Sequence, residues 1–108
     1  MKSNRAKIIE RKVRQLTDTK APEKKDCTHL DHIQLVTPDS DVCEQCIQMG
    51  DTWVNLRLCM ICGQVGCCDD SKNQHASKHH HASGHPIIMS FQPNEEWLWC
   101  YVDEVLFN

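Results

Sequence analysis

Metal-ligand residues crowd the stretch from Cys43 to His85 and leave this chain few ways to fold. The stretch holds Cys43-x2-Cys46, Cys59-x2-Cys62, Cys67, and then His75, His79 and His85. Two intervening residues let the backbone turn back so that both sulfurs of a pair reach one ion. A repeated pair followed by histidines is the donor set that tetrahedral zinc takes. Of the 108 residues, only six are Phe, Trp or Tyr. A folded part beginning near Asp26 has about 80 residues, a size at which an apolar core alone supplies roughly 3–5 kcal/mol. A structural zinc contributes an apparent binding energy of roughly 10–16 kcal/mol at neutral pH. Ions rather than apolar contacts are expected to set the fold.

The eight cysteines also fit a disulfide framework. Against that, the opening Met1-Lys2-Ser3-Asn4-Arg5 has no apolar run of a secretory signal, and seven histidines accompany the cysteines. A disulfide scaffold has no use for those histidines. The expected compartment is reducing and cytoplasmic. No apolar stretch reaches the ~20 residues of a membrane span.

Charge divides the chain in two. Residues 1–25 carry nine Lys/Arg and three Asp/Glu, a net of +6, whereas residues 26–108 carry three basic and twelve acidic residues, a net of −9. A nucleic-acid module carries its basic face on the folded part. Here the folded part is acidic, so DNA or RNA binding by the domain is not expected. The organisation read from this is a basic leader over 1–25, flexible or helical, and a zinc-finger domain over 26–108.

Ile9, Val13 and Leu16 recur at helical spacing within residues 4–16, which predicts a basic amphipathic helix or a solvated tail there. Residues 17–26 read as a linker. Strands are expected at Trp53–Leu58, Pro86–Phe91 and Trp97–Val102. Trp97, Trp99 and Tyr101 share one face of the last of these, and Trp53, Asn55 and Arg57 share one face of the first. Gly63–Gly66 reads as a tight link. Asp70 or Ser71 is expected to cap a helix over Lys72–Ala82, which Ser83-Gly84 ends. Cys68 reads as a small filler, and His32, His80 and His81 as solvent-facing.

Each zinc needs four donors. Cys43, Cys46, Cys67 and His75 make one set, and Cys59, Cys62, His79 and His85 a second. Counting alone equally permits each ion to take the donors nearest in sequence. His75 and His79, four apart, share a helix face. A third set joins Cys27 and His29 to Cys100 and Asp103, a carboxylate being an acceptable zinc ligand, with Glu104 or water as the alternative fourth donor.

Taken together, these residues resemble a UBP-type zinc finger, in a short stand-alone form. The resemblance runs from Cys27 to about Val105. It rests on Cys27-Thr28-His29, Cys43-Glu44-Gln45-Cys46, Cys59-Met60-Ile61-Cys62-Gly63-Gln64-Val65-Gly66-Cys67, His75-Ala76-Ser77-Lys78-His79, Gly84-His85-Pro86 and Trp99-Cys100-Tyr101. It implies an α+β fold, a small antiparallel sheet with one or two short helices, cross-braced by two or three structural zinc ions. It also supports the interleaved pairing of donors and the third set. In ubiquitin-binding members a pocket receives the free C-terminal Gly-Gly of ubiquitin. An Arg two residues after the cysteine matching Cys67 contacts that tail, and here Asp69 stands in its place. The pocket-wall Trp two residues before the cysteine matching Cys59 corresponds to Arg57. Trp99 and Tyr101 match the pocket's aromatic pair.

The function expected is that of a non-enzymatic, monomeric recognition module for a peptide or protein C-terminus. Arg57, Trp97, Trp99 and Tyr101 are its ligand-binding residues, and a ubiquitin-like partner is compatible with them. The alternative is a structural or regulatory zinc protein whose basic N-terminal segment contacts the partner. A zinc hydrolase is disfavoured, because filled tetrahedral sites leave no open position for water and no H-E-x-x-H motif is present.

Overall fold

The structure, a computed structural model, describes residues 4–17, 29 and 32–107. Helix α1 (Asn4–Thr17) is followed by α2 (Glu44–Met49), β1 (Leu56–Cys59), β2 (Val65–Cys67), α3 (His75–Ser83), β3 (Ile87–Ser90), β4 (Leu98–Cys100) and β5 (Val105–Phe107). The five strands form one sheet in the order β2-β1-β3-β4-β5, with every neighbouring pair antiparallel. The α+β class and the small antiparallel sheet are as the sequence implied.

Alternation along the strands divides the sheet into two faces. Leu58, Met89, Leu98 and Phe107 lie opposite one another across β1, β3, β4 and β5. All four belong to the buried core, together with Leu56, Val65, Ile87 and Cys100. On the other face Cys59 pairs with Ile88, Ile88 with Trp99, and Trp99 with Leu106. Arg57 shares that second face, one pleat along from Cys59. Its register partner on β2 is Gly66.

Helix α3 crosses the second face at Gly66. A Cβ at Gly66 would lie 2.8 Å from the Ala76 backbone nitrogen and 3.1 Å from the Ala76 Cα, so only glycine allows this approach.

Several elements differ from the sequence expectations. The first strand starts at Leu56 rather than Trp53, and Val54 is exposed. Gly63–Gly66 is more than a link, since Val65, Gly66 and Cys67 pair with β1. The helix begins at His75 instead of Lys72, with Gln74 left-handed at φ 47° and no capping side chain. Ser71, expected as a cap, instead accepts the Val54 N–H at 2.8 Å on its hydroxyl. The helix ends as expected, at Ser83, with Gly84 left-handed at φ 80°. The strand expected over Trp97–Val102 stops at Cys100, and a turn over residues 101–104 leads into β5.

Helix α1 forms where the periodicity placed it. Ile9 and Val13 enter the core cluster, while the Leu16 side chain and residues 18–26 of the linker lie outside the described residues. Arg11 donates to Glu96 at 2.6 Å, and the Lys12 ammonium, nearly buried, lies 3.7 Å from the same carboxylate. The Arg11 hydrogen bond holds the Glu96 carboxyl below its ordinary value of 4.5. A depressed carboxyl pKa contributes stability above the unfolded value and loses it as pH falls through the folded one. Acidification below about pH 4.5 is therefore expected to loosen α1. Amide protection of residues 7–14, relative to the free-chain rate at each pH, checks this: it should fall in acid, and fall at neutral pH in Glu96→Gln. Unchanged protection in both would show that Ile9 and Val13 alone hold the helix.

Candidate metal centres and an adjoining aromatic pocket

Three groups of metal-binding side chains come together among the described residues. The first is Cys43, Cys46, Cys67 and His75, all buried. Cys43 stands at the N-cap of α2 and Cys46 in its first turn, so the two intervening residues of the pair are helical. Cys67 ends β2 and His75 begins α3. His75 Nδ1 lies 3.2 Å from the Cys43 sulfur and 3.5 Å from those of Cys46 and Cys67, and the last two sulfurs are 3.8 Å apart.

Thiolates ~2.3 Å from a tetrahedral zinc stand about 3.8 Å from one another, and about 3.5 Å from an imidazole nitrogen on the same ion. The cluster has the edges of that tetrahedron.

The second group is Cys59, Cys62, His79 and His85. Cys59 Sγ lies 3.4 Å from His85 Nδ1, Cys62 Sγ 3.4 Å from His79 Nε2, and the two imidazole nitrogens 3.3 Å apart. These separations also fit one tetrahedral ion. The donors are grouped in the interleaved pairing, not by nearness in sequence. The third group is His29, Cys100 and Asp103, with His29 Nδ1 3.2 Å from Asp103 Oδ2 and 3.5 Å from Cys100 Sγ. The turn after β4 brings the Asp103 N–H to within 3.4 Å of the Cys100 sulfur. Asp103, and not Glu104, takes the carboxylate place. Cys27, the remaining expected donor, lies outside the described residues.

Asn73 gave no signal in the sequence, yet it supports the first group. Its amide lies 3.7 Å from the Cys46 sulfur and donates to Asp51 at 3.1 Å. Such an outer contact orients a thiolate and tempers its charge. Burial nevertheless pushes the Cys46 thiol up and takes that of Cys59 to about 11, while it pushes the His75 and His79 imidazoles down. Zinc requires deprotonated sulfur and neutral imidazole. Binding at these sites therefore releases thiol protons and already finds the histidines in the right form.

Residues 43–107 match the sequence profile of the zf-UBP family, the zinc finger of ubiquitin hydrolases and other proteins. The chain belongs to that family. Among relatives of the zf-UBP chain, mouse ubiquitin carboxyl-terminal hydrolase 45 is 28% identical over 89 residues, 67% of this chain. The chain spans only 10% of that protein's length. The solution NMR structure of protein RPA1320 from Rhodopseudomonas palustris superposes with a TM-score of 0.72 at 53% identity, covering 79% of this chain and 83% of the other. The metal groups thus have the donor chemistry and spacing of a zinc-binding zf-UBP domain. No helix among the described residues is long and apolar enough to cross a membrane.

Beside the metal groups, on the second sheet face, lies a cavity of about 210 Å³. Arg57, Trp97, Trp99 and Tyr101 all line it, together with Ile88, Leu106, Cys68, Asp69 and Asp70. The Arg57 guanidinium sits over the Trp97 ring, 4.5 Å from its centroid, a cation–π contact. Its Nη1 donates to the Leu56 carbonyl at 3.0 Å. Tyr101 is stacked against His80 at 4.4 Å, nearly parallel, and His80 Nδ1 is fixed 2.8 Å from the His85 carbonyl. His80 was expected to face solvent. Packing on Tyr101 half-buries it instead, whereas His32 and His81 are exposed. Cys68 is buried beside Ser71, its sulfur 3.5 Å from that hydroxyl.

Proposed function

We propose that this zf-UBP domain is a non-catalytic receptor for a free C-terminus, with Arg57 holding the terminal carboxylate. The observation that carries the reading is the guanidinium held 4.5 Å over the Trp97 ring at a pocket walled by Trp99 and Tyr101. A guanidinium offers a carboxylate two parallel hydrogen bonds, and ring stacking holds it in place before the ligand arrives. The aromatic walls add rigid contact area at small entropic cost. The volume is below the roughly 300–1,000 Å³ of a drug-sized site, which suits one or two terminal residues of an extended chain. A ubiquitin-like tail is one such chain.

The competing reading makes the basic leader the working end. Two of the leader's cations, Arg11 and Lys12, are directed instead at Glu96 of the same chain.

Calorimetric titration of the zinc-loaded chain with paired peptides, free acid and C-terminal amide, tests the proposal. The acid is expected to bind, amidation or Arg57→Ala to weaken it by at least about tenfold, the loss of a charge-assisted pair. Equal affinity for acid and amide would end this reading. Neutralising the exposed leader cations, with Lys7→Gln and Arg14→Gln, is expected to leave peptide binding intact.

A further inference from the structure

Resting on that receptor reading, we propose that the pocket selects C-termini carrying a lysine or arginine within their last two residues. The surface beyond Arg57 changes sign. Asp69 and Asp70 line the first cavity, and Asp69, Trp99 and Tyr101 also line a second one of about 410 Å³, together with Glu104, Ser77, His80 and His81. The two cavities therefore share Asp69, Trp99 and Tyr101 in their linings. The Arg57 cation lines the first alone, the Glu104 carboxylate the second alone, and the Asp69 carboxylate both.

Asp69 is held in place. The Ser77 hydroxyl donates to its Oδ1 at 2.5 Å, and the Tyr101 hydroxyl lies 3.3 Å from the same serine oxygen. A lysine or arginine stem has an apolar length to lie along Trp99 and Tyr101 and a cation to place at Asp69. An acidic residue at the same place meets Asp69 and Asp70. A Gly-Gly end satisfies Arg57 and leaves the carboxylates with no ligand partner. The net charge of −9 over residues 26–108 draws cationic ends in the same direction.

The test uses the zinc-loaded full chain and peptides of equal length. They end in lysine, in glycine-glycine or in glutamate as free acids, and one control carries its lysine eight residues upstream. The lysine end is expected to bind at least about tenfold more tightly than the glycine end, and the upstream lysine to give less than about threefold of that gain. Asp69→Asn, which keeps Oδ1 for Ser77, is expected to remove the lysine preference and leave glycine-end binding in place. A glycine end bound as well as the lysine end, a preference that survives Asp69→Asn, or an equal gain from the upstream lysine each overturns the selectivity. In those cases Arg57-dependent binding of the acids leaves the receptor reading standing. No binding of any free acid overturns both.

Discussion

Exhaustive chelation is expected to unfold this chain, not merely to loosen it. The first metal group lies at the centre of the core, with Cys43, Cys46 and Cys67 at 0% exposure and His75 at 5%. It ties α2, β2 and α3 together. Each occupied set contributes roughly 10–16 kcal/mol, as much as the whole stability of an ordinary domain, roughly 5–15 kcal/mol. Without an ion, thiols and imidazole packed at 3.2–3.8 Å have mainly weak sulfur hydrogen bonds to one another in its place. Circular dichroism after dialysis against a strong chelator should show no cooperative thermal transition, and re-addition of zinc should restore it. Because bound thiols must lose their protons, the chelator concentration needed should fall as pH is lowered. A metal-free protein that still melts in one sharp step would refute this view of the fold.

Replacing Gly63 by alanine is expected to destabilise the protein strongly, although Gly63 is not itself a metal donor. Gly63 follows Cys62 with φ +87°, and an added Cβ would lie 2.4 Å from the Thr37 carbonyl oxygen. Both strands of chain are pinned there. The Gly63 N–H donates to the Cys59 carbonyl at 2.9 Å, the Asp39 N–H donates to the Gly63 carbonyl at 2.9 Å, and the Asp39 carboxylate accepts the Val65 N–H at 3.1 Å. Relief of the clash must move the segment around Thr37 or the turn that carries Cys62. A left-handed residue and a displaced contact together are expected to cost about 2–4 kcal/mol, at about 4–8 °C of Tm per kcal/mol for a domain of this size. Gly50→Ala is the control: its φ is +78° and no atom lies within 4 Å of the added carbon. It bears the backbone term alone, about 1–2 kcal/mol. Equal Tm losses for the two variants would show that the Thr37 contact yields freely.

Short-range chemistry made the metal donors legible, and the family resemblance their interleaved grouping. Cysteines three apart and histidines four apart stand out in the chain itself, because so short a backbone brings the two side chains to one side. The antiparallel sheet was legible where apolar runs were long enough to alternate. It was not at β2 and β5, three residues each, too short to carry a period. The six-residue α2 was hidden because Cys43 and Cys46 read as a knuckle, and its only caps are backbone ones. The burial of Lys12 was hidden for another reason: a charged residue counts as solvent-facing until a long aliphatic stem finds apolar surface. The pairing of Arg57 with Trp97 depended on register between distant strands, and the stacking of His80 on Tyr101 on how α3 crosses the sheet. No local spacing reports either.

Helix α3 has nine residues, no capping side chain and a left-handed residue at its entrance. On its own such a segment would melt, since helices this short do not repay their nucleation in water. Its first residue, His75, belongs to one ion's donor set and its fifth, His79, to the other's. An ion held at either end would therefore help to organise the imidazole at the opposite end, one turn of backbone away. Ser77 and His80, which line the second cavity, stand on that same helix. Loss of the ions would be felt there as well as in the core.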